Sequence, residues 1–136
     1  MMKIKFLGFG TVLVVSFALL SMTIIKSNEQ DPWEVPADYK NMKNPYASVA
    51  DDEQIGEELY GMYCQACHGI NGKGDGVNAE LTNTPVTNFT LSSFKNQSDG
   101  SLYYKVITGR NDMVSFQLII PEEEDLWMVI NYIKNL

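Results

Sequence analysis

The most apolar part of the chain is the uncharged run Phe6–Ile25, which follows Lys3 and Lys5. Lysines before an apolar run are typical of a secretion signal, and a run of about 20 residues also suffices to cross a bilayer as a helix. No convincing small-x-small cleavage site follows, which favours an N-terminal membrane anchor over a removed signal peptide but leaves both open. Either interpretation of residues 1–26 predicts that the rest of the chain lies outside the cytoplasm, because positive flanks stay inside.

Residues 27–50 show no lasting periodicity and contain three prolines among scattered polar residues. Prolines and polar residues interrupt regular structure, so this composition predicts an extended tether, either free in solution or lying along the domain that follows. Trp33 and Tyr46 are large side chains that would pin such a tether to the domain, or would otherwise remain exposed.

A periodic apolar pattern opens the predicted domain, residues 51–136, and indicates its first helix. Ile55, Leu59 and Met62 recur at intervals of four and three residues and form one apolar face, as expected for a helix. Acidic residues at 51–53 suit the positive N-terminal end of a helix. The helix is predicted to end directly before the first cysteine, and Met62 is expected to pack in the core.

Residues 69–100 are rich in Gly, Asn, Thr and Ser, which predicts long loops with one short helix near Leu91–Phe94. A long irregular stretch inside a compact domain is typical of a functional loop. A second clear helix is predicted at Gly100–Thr108, with Asp99 as its N-terminal cap and Gly109 as its terminator.

The last predicted helix begins at Pro121, because proline is well tolerated in the first turn of a helix. Acidic residues follow it, Lys134 suits the opposite end, and Met128 is expected in the core,. The apolar face of the last helix is formed by Leu126, Val129, Ile130 and Ile133.

No segment of the chain alternates dependably between apolar and polar positions, so no strand is predicted.

Charge becomes informative once the apolar N-terminal run is set aside. Residues 27–136 hold 17 acidic and 7 basic residues, for a net charge of −10. An acidic surface repels nucleic acid and anionic lipid head groups, which disfavours both as partners. It suits steering toward a basic patch on a protein partner, although a charge of this size also serves solubility alone.

The only two cysteines and the only histidine of the chain form one motif, Cys64-Gln65-Ala66-Cys67-His68. The pattern C-x-x-C-H is typical of the covalent attachment of a c-type haem. Two thiols three positions apart can each form a thioether with one haem vinyl group, and the histidine that follows then lies beneath the iron. The sequence therefore predicts one haem c, attached through Cys64 and Cys67, with His68 as an axial ligand of the iron.

A zinc site, a redox dithiol and a structural disulfide are three alternatives to haem attachment for this motif. A structural zinc site needs four protein ligands, and the chain has no second cluster of Cys or His residues. A thioredoxin-like redox pair needs a strand–helix context, whereas this motif lies between a predicted helix and Gly-rich loops. A structural disulfide between Cys64 and Cys67 would close a loop of very few residues. The histidine that follows and the export signal favour haem over all three.

Residues 51–136 resemble a class I mono-haem cytochrome c of the periplasmic or membrane-anchored bacterial type. Gly56 and Tyr60 match a helix contact of that family, and Gly72–Gly76 matches the Gly-rich turn that is common after its haem motif. The last predicted helix resembles the family's C-terminal helix, which packs on the first. The resemblance implies an all-α fold of three to five helices around one covalently bound haem.

The resemblance also implies a methionine as the sixth ligand, on a loop before the last helix. Met113 lies 45 residues after His68 and precedes Pro121, as the family's ligand does. Relatives usually have proline after this methionine, and Val114 departs from that pattern. Met113 and His68 are thus the expected iron ligands, since a His–Met pair is standard for electron transfer.

Three more residues are candidates for roles beside the haem. In this family a proline carbonyl accepts a hydrogen bond from Nδ1–H of the ligand histidine, which orients the ring. Pro85 is the candidate for that role, or else an ordinary loop proline. Arg110 and Lys73 are candidates for pairing with the haem propionates, or else exposed cations.

These expectations favour one-electron transfer in a respiratory chain by a carrier with no catalytic residues, either free or as a subunit of a respiratory oxidoreductase complex. Its partners would be redox proteins rather than nucleic acid or a small-molecule substrate. The alternative is a five-coordinate haem, in a ligand sensor or small haem enzyme, if Met113 does not bind the iron. The expected location is the periplasmic side of the inner membrane, anchored, or the periplasm itself if the signal is cleaved.

Overall fold

The computed structural model describes residues 32–136. The predictions for residues 1–26, and for the first residues of the tether, therefore lie outside the described residues. Within 32–136, no helix combines the length and the apolar character that a membrane crossing requires.

The part of the chain that the structure describes is helical and contains no strand, which confirms the predicted all-α fold. An isolated bridge pairs Arg110 with Met113. The helices are α1 (Ala37–Asn41), α2 (Ile55–Tyr63), α3 (Gln65–His68), α4 (Ser92–Lys95), α5 (Asp99–Thr108) and α6 (Glu123–Asn135), with a 3-10 turn at Ala79–Leu81.

Helices α2 and α6 cross at Gly56, and the core is built around this crossing. A Cβ atom added to Gly56 would lie 2.4 Å from the backbone oxygen of Met128, so the two backbones approach this closely only where no side chain intervenes. Tyr60 is 1% exposed, and its ring centroid lies 5.2 Å from that of Tyr132. The predicted helix contact of Gly56 and Tyr60 is therefore present. Around it lie Phe89, Phe94, Leu102, Val106, Ile107, Phe116, Ile120, Leu126, Trp127, Val129, Ile130 and Ile133.

The two methionines expected in the core have different surroundings. Met128 is 3% exposed, which confirms its prediction, whereas Met62 is 59% exposed, so its predicted core position is wrong. The reason is that α2 turns the face bearing Gly56 and Tyr60 toward α6, and Met62 lies on another face.

Helix α2 begins at Ile55, after the acidic residues at 51–53 that were expected to form its N-terminal end. The carboxylate of Asp51 accepts hydrogen bonds from the N–H groups of Ile55 and Gly56, each at 2.8 Å. Gln54, directly before the helix, has a φ of 59°, a left-handed conformation that cannot be part of the helix. Asp51 therefore caps α2 from outside instead of starting it.

The later helices also differ from prediction at their starts. Ser98 caps α5, because its Oγ accepts a hydrogen bond from N–H of Ser101 at 3.2 Å. The prediction that Asp99 is this cap is therefore wrong, and Asp99 is the first helical residue. Gly109 ends α5 with a φ of 62°, as predicted. Helix α6 begins at Glu123, two residues after the predicted proline.

Residues 32–50 pack on the helical domain, and part of the predicted tether is helical rather than extended. Helix α1 places the ring of Tyr39 4.9 Å from that of Tyr104 on α5. Asn44 is 9% exposed, and its Nδ2 donates to Oδ1 of Asn131 on α6 at 2.7 Å. Contacts with both helices therefore define the path of this segment.

Both residues proposed as pinning points of the tether contact the domain: Trp33 through its ring, and Tyr46 through its side chain and its backbone oxygen. The guanidinium of Arg110 lies 4.7 Å, and Nζ of Lys105 5.7 Å, from the ring centroid of Trp33, distances typical of cation–π contacts. The backbone oxygen of Tyr46 accepts a hydrogen bond from Nδ2 of Asn131 at 3.0 Å.

We expect Gly56→Ala to destabilise the domain by about 1–3 kcal/mol, because the new methyl group would force α2 away from α6. Gly61→Ala is a matched control on the same helix, since its added Cβ would have only a side-chain oxygen nearby, at 3.9 Å. Alanine there should stabilise the helix by about 0.5–1 kcal/mol. Denaturant unfolding of both variants measures the difference, and equal stabilities would show that the crossing is not tightly packed.

Candidate functional site

The motif residues lie on a single turn that continues directly from α2. N–H of Cys64 donates to the oxygen of Tyr60 at 2.9 Å, which ends α2 at Cys64. The oxygen of Cys64 then accepts from N–H of Cys67 at 3.1 Å and of His68 at 2.9 Å. Cys64, Cys67 and His68 therefore lie along a single backbone turn, as the spacing of the motif predicted.

The Gly-rich loop folds back over this turn and satisfies its carbonyl groups. N–H of Gly74 donates to the oxygen of His68 at 2.8 Å, and N–H of Gly76 donates to that of Cys67 at 3.1 Å. A Cβ atom on Gly76 would lie 2.3 Å from the oxygen of Ala66. The loop thus holds the motif turn by backbone contacts that a larger residue at Gly76 would prevent.

Tyr60 supports the motif from the core. Its hydroxyl donates to the backbone oxygen of Gly69, the residue directly after His68. Burial, with smaller contributions that include the neighbouring Cys64, raises the pKa of Tyr60 to about 12. The phenol therefore keeps its proton at neutral pH and remains a hydrogen-bond donor to the end of α3.

The chemistry of the thiols argues against two of the alternative uses of the motif. Cys64 and Cys67 are both free and half-buried, so no disulfide joins them. Burial raises the pKa of the Cys64 thiol to about 12, with a further contribution from Cys67. Redox dithiols depend on a lowered thiol pKa, and the described residues around the motif provide no strand that a thioredoxin-like site would need.

A zinc site is also disfavoured. Between residues 32 and 136, no three His, Cys, Asp or Glu side chains are grouped so that they could hold a metal ion. A structural zinc site needs four such ligands.

His68 is oriented from two sides. Its ring stacks on that of Phe89, with 4.3 Å between centroids and an interplanar angle of 21°. Its Nδ1 lies 3.3 Å from the backbone oxygen of Thr87. Burial lowers the pKa of His68, partly offset by the Thr87 contact, which favours the neutral imidazole that metals bind. With Nδ1 directed at Thr87, Nε2 is the nitrogen left to serve as a ligand.

The prediction that Pro85 supplies this carbonyl is wrong, because Thr87, two residues later, takes the role. N–H of Phe89 bonds the oxygen of Gly72 at 2.6 Å, which fixes the chain so that Thr87 faces the imidazole. Phe89 and Thr87 were both missed by sequence reasoning. A backbone carbonyl has no signature in the sequence, but an aromatic residue after the Gly-rich loop was a usable signal.

Met113 lies on a separate loop, between α5 and α6, and its side chain is half-buried against the core. Its N–H and oxygen pair with the oxygen and N–H of Arg110 at 3.0 and 2.9 Å, which makes a tight turn. A Cβ atom on Gly109 would lie 2.5 Å from the oxygen of Met113. The backbone at Met113 is therefore well defined. Of the two candidate propionate partners, Arg110 lies over Trp33 and Lys73 is exposed.

Exposed apolar side chains are concentrated beside the motif and beside Met113. Eight of the ten large hydrophobic residues exposed between residues 32 and 136 lie within 62–81 or 114–119. Val77 is 89% and Leu118 is 91% exposed. Exposed apolar side chains along these two segments, of which one carries His68 and the other follows Met113, are expected where a ligand or a partner covers the surface. Together with two free thiols and an oriented imidazole, they fit the large apolar haem that the motif predicts.

Comparison with known proteins agrees with this site. The family model described as cytochrome c oxidase, cbb3-type, subunit III matches residues 51–133, which include the motif, the Gly-rich loop and Met113. No curated protein matches the chain significantly. Because the match covers more than half of the chain, the protein belongs to this family of c-type cytochromes, and its domain is of the class I mono-haem type, whose function is haem-based electron transfer.

Proposed function

We propose that this protein is a respiratory one-electron carrier with one haem c, bound covalently through Cys64 and Cys67 and ligated by His68 and Met113. The observation that supports this most strongly is the single backbone turn that carries two free thiols and an imidazole whose pKa is lowered by burial. When bound, the haem iron supplies the one-electron chemistry, by alternating between its ferric and ferrous states.

The protein's own residues would hold the haem and orient the side chains that bind its iron. Each thiol would form one thioether with a haem vinyl group, so that the cofactor could not dissociate from the protein. Thr87 and Phe89 fix the imidazole ring of His68 in a single orientation, which limits rearrangement between redox states. Met113 supplies a soft thioether sulfur, which favours the ferrous state and raises the reduction potential. With His68 and Met113 both holding the iron, no position would remain open for a substrate.

Asp51 and Glu123 have structural roles, as is expected of acidic residues in a carrier. Asp51 caps α2 with both carboxylate oxygens. On α6, Oε1 of Glu123 accepts a hydrogen bond from Nε1 of Trp127 at 3.2 Å. Both carboxylates therefore hold helix residues in place, which is a structural use rather than that of a general acid or base.

The name of the matched family refers to a subunit of a cbb3-type oxidase. We therefore propose that the partners are respiratory, either within an oxidase complex or as separate redox proteins. The net charge of −10 over residues 27–136 favours a partner with a basic contact surface,. The apolar run Phe6–Ile25 supports a location on the periplasmic side of the inner membrane,.

The proposal is tested on the full chain matured in an export-competent host. We expect its mass to exceed that of the polypeptide by one haem after denaturation. The ferric protein should show the weak long-wavelength absorption band of methionine ligation, and the ferrous protein should not bind carbon monoxide readily. Ready binding of carbon monoxide would instead support the five-coordinate sensor, and the absence of haem mass would refute the central assignment.

A further inference from the structure

Asp112 joins two loops that are far apart in the sequence. Its Oδ2 accepts hydrogen bonds from N–H of Asn83 at 3.0 Å and from Oγ1 of Thr84 at 3.1 Å. Its Oδ1 accepts a third, from Nδ2 of Asn83, at 3.0 Å. Two consecutive residues of one loop therefore converge on a single carboxylate of the other, and bonds to an ionised acceptor are the stronger kind of hydrogen bond.

On one side, Asp112 is firmly connected to Met113. The two residues are neighbours within the turn that the paired backbone groups of Arg110 and Met113 close. Asn111, at the start of this turn, has a φ of 55°, so the turn adopts a defined and uncommon conformation. A shift of the Asp112 carboxylate would therefore move Met113 with it.

On the other side, Asn83 and Thr84 belong to the segment that orients His68. The oxygen of Thr84 accepts a hydrogen bond from Oγ1 of Thr82 at 2.7 Å, which makes this segment compact. Three residues after Thr84, the oxygen of Thr87 faces Nδ1 of His68. One short stretch of chain thus contacts both the carboxylate before Met113 and the imidazole of His68.

We infer that Asp112 is a positioning residue for the haem site, which holds the loop bearing Met113 against the loop that orients His68. This inference rests on the proposed ligation by Met113 and His68. Asp112 itself touches neither the iron nor a reacting atom. It acts by limiting how far Met113 can move from the iron, on the side of the loop opposite Ser115 and Phe116, which hydrogen-bond to α5.

The inference is tested with Asp112→Ala in the haem-loaded full chain. Loss of three hydrogen bonds should let Met113 leave the iron more often, so the apparent affinity of the ferrous protein for carbon monoxide should rise roughly tenfold. The ferric methionine band should also weaken at a lower temperature than in the wild type. In the apo-protein, amide exchange at Asn83 should accelerate, which reports the lost contact independently of the haem.

Two further variants separate positioning from general stability. Asp112→Asn keeps an acceptor oxygen and should give an intermediate effect. Thr108→Ala is the matched control, because the hydroxyl of Thr108 donates a local hydrogen bond to the oxygen of Tyr104 at 2.7 Å, at the end of α5 that leads into the loop of Met113. It should leave carbon monoxide affinity unchanged.

An Asp112→Ala protein with wild-type carbon monoxide affinity and an intact methionine band would overturn the inference while leaving the proposed function in place. If the wild-type protein itself lacked the methionine band, the ligation would be refuted first and the inference with it. If Thr108→Ala raised the affinity as much as Asp112→Ala, the effect would be one of general stability and the positioning role would be refuted.

Discussion

Replacing both Cys64 and Cys67 with alanine is expected to reduce covalently bound haem from one per chain to none. The sequence contains no other cysteine, so no thiol remains in this variant to form a thioether. Either single variant should retain one thioether at most and lose much of its haem during maturation. Mass spectrometry and a haem stain after denaturing electrophoresis measure the result.

The control for this experiment is Gln65→Ala, which changes a residue between the two cysteines and leaves both thiols in place. The hydrogen bonds of Gln65 within the turn use its backbone oxygen, so α3 should form normally and haem content should remain that of the wild type. Haem that remained bound after denaturation of the double alanine variant would show that attachment does not use these thiols.

Met113→Ala should convert a closed iron site into an open one. Without the thioether, the sixth position becomes available to water, carbon monoxide or an amine, and the reduction potential should fall because the soft ligand no longer favours the ferrous state. The fold should largely survive, since Cys64, Cys67 and His68 still hold the haem. Visible spectra, carbon monoxide titration and a redox titration measure the three effects.

Met62→Leu and Met128→Leu are the controls for Met113→Ala, and they sample different environments. Met62 is 59% exposed and Met128 is 3% exposed. Both leucine variants should leave the spectrum and the potential unchanged, with at most a small loss of stability at Met128. If Met113→Ala had the spectrum and potential of the wild type, another residue would have to be the sixth ligand.

The parts of the structure that could be predicted from the sequence are those governed by local patterns. The apolar periodicity around Ile55 located α2, and the short helix expected near residue 91 is α4. The C-x-x-C-H spacing was sufficient to place Cys64, Cys67 and His68 on one turn, because residues three and four positions apart lie on the same face of a helix.

The parts that could not be predicted depend on contacts between distant residues or on the backbone alone. Thr87 acts through its carbonyl, which every residue type possesses. Asp112 bonds residues 28 and 29 positions earlier, and no local pattern indicates such a pairing. Helix α1 formed in a proline-containing segment because Tyr39 packs on α5, where tertiary contact outweighs composition.

The segment 32–50 has a practical consequence for defining a fragment of this protein. The family match begins at residue 51. A chain that began there would lack residues 32–50, which contact both α5 and α6. Asn131 would lose both of its contacts with this segment, and the surface of α5 beneath Tyr39 would be uncovered. A truncated version for crystallisation or electrochemistry should therefore start at or before Pro32, so that the cut falls ahead of Trp33 rather than at the homology boundary.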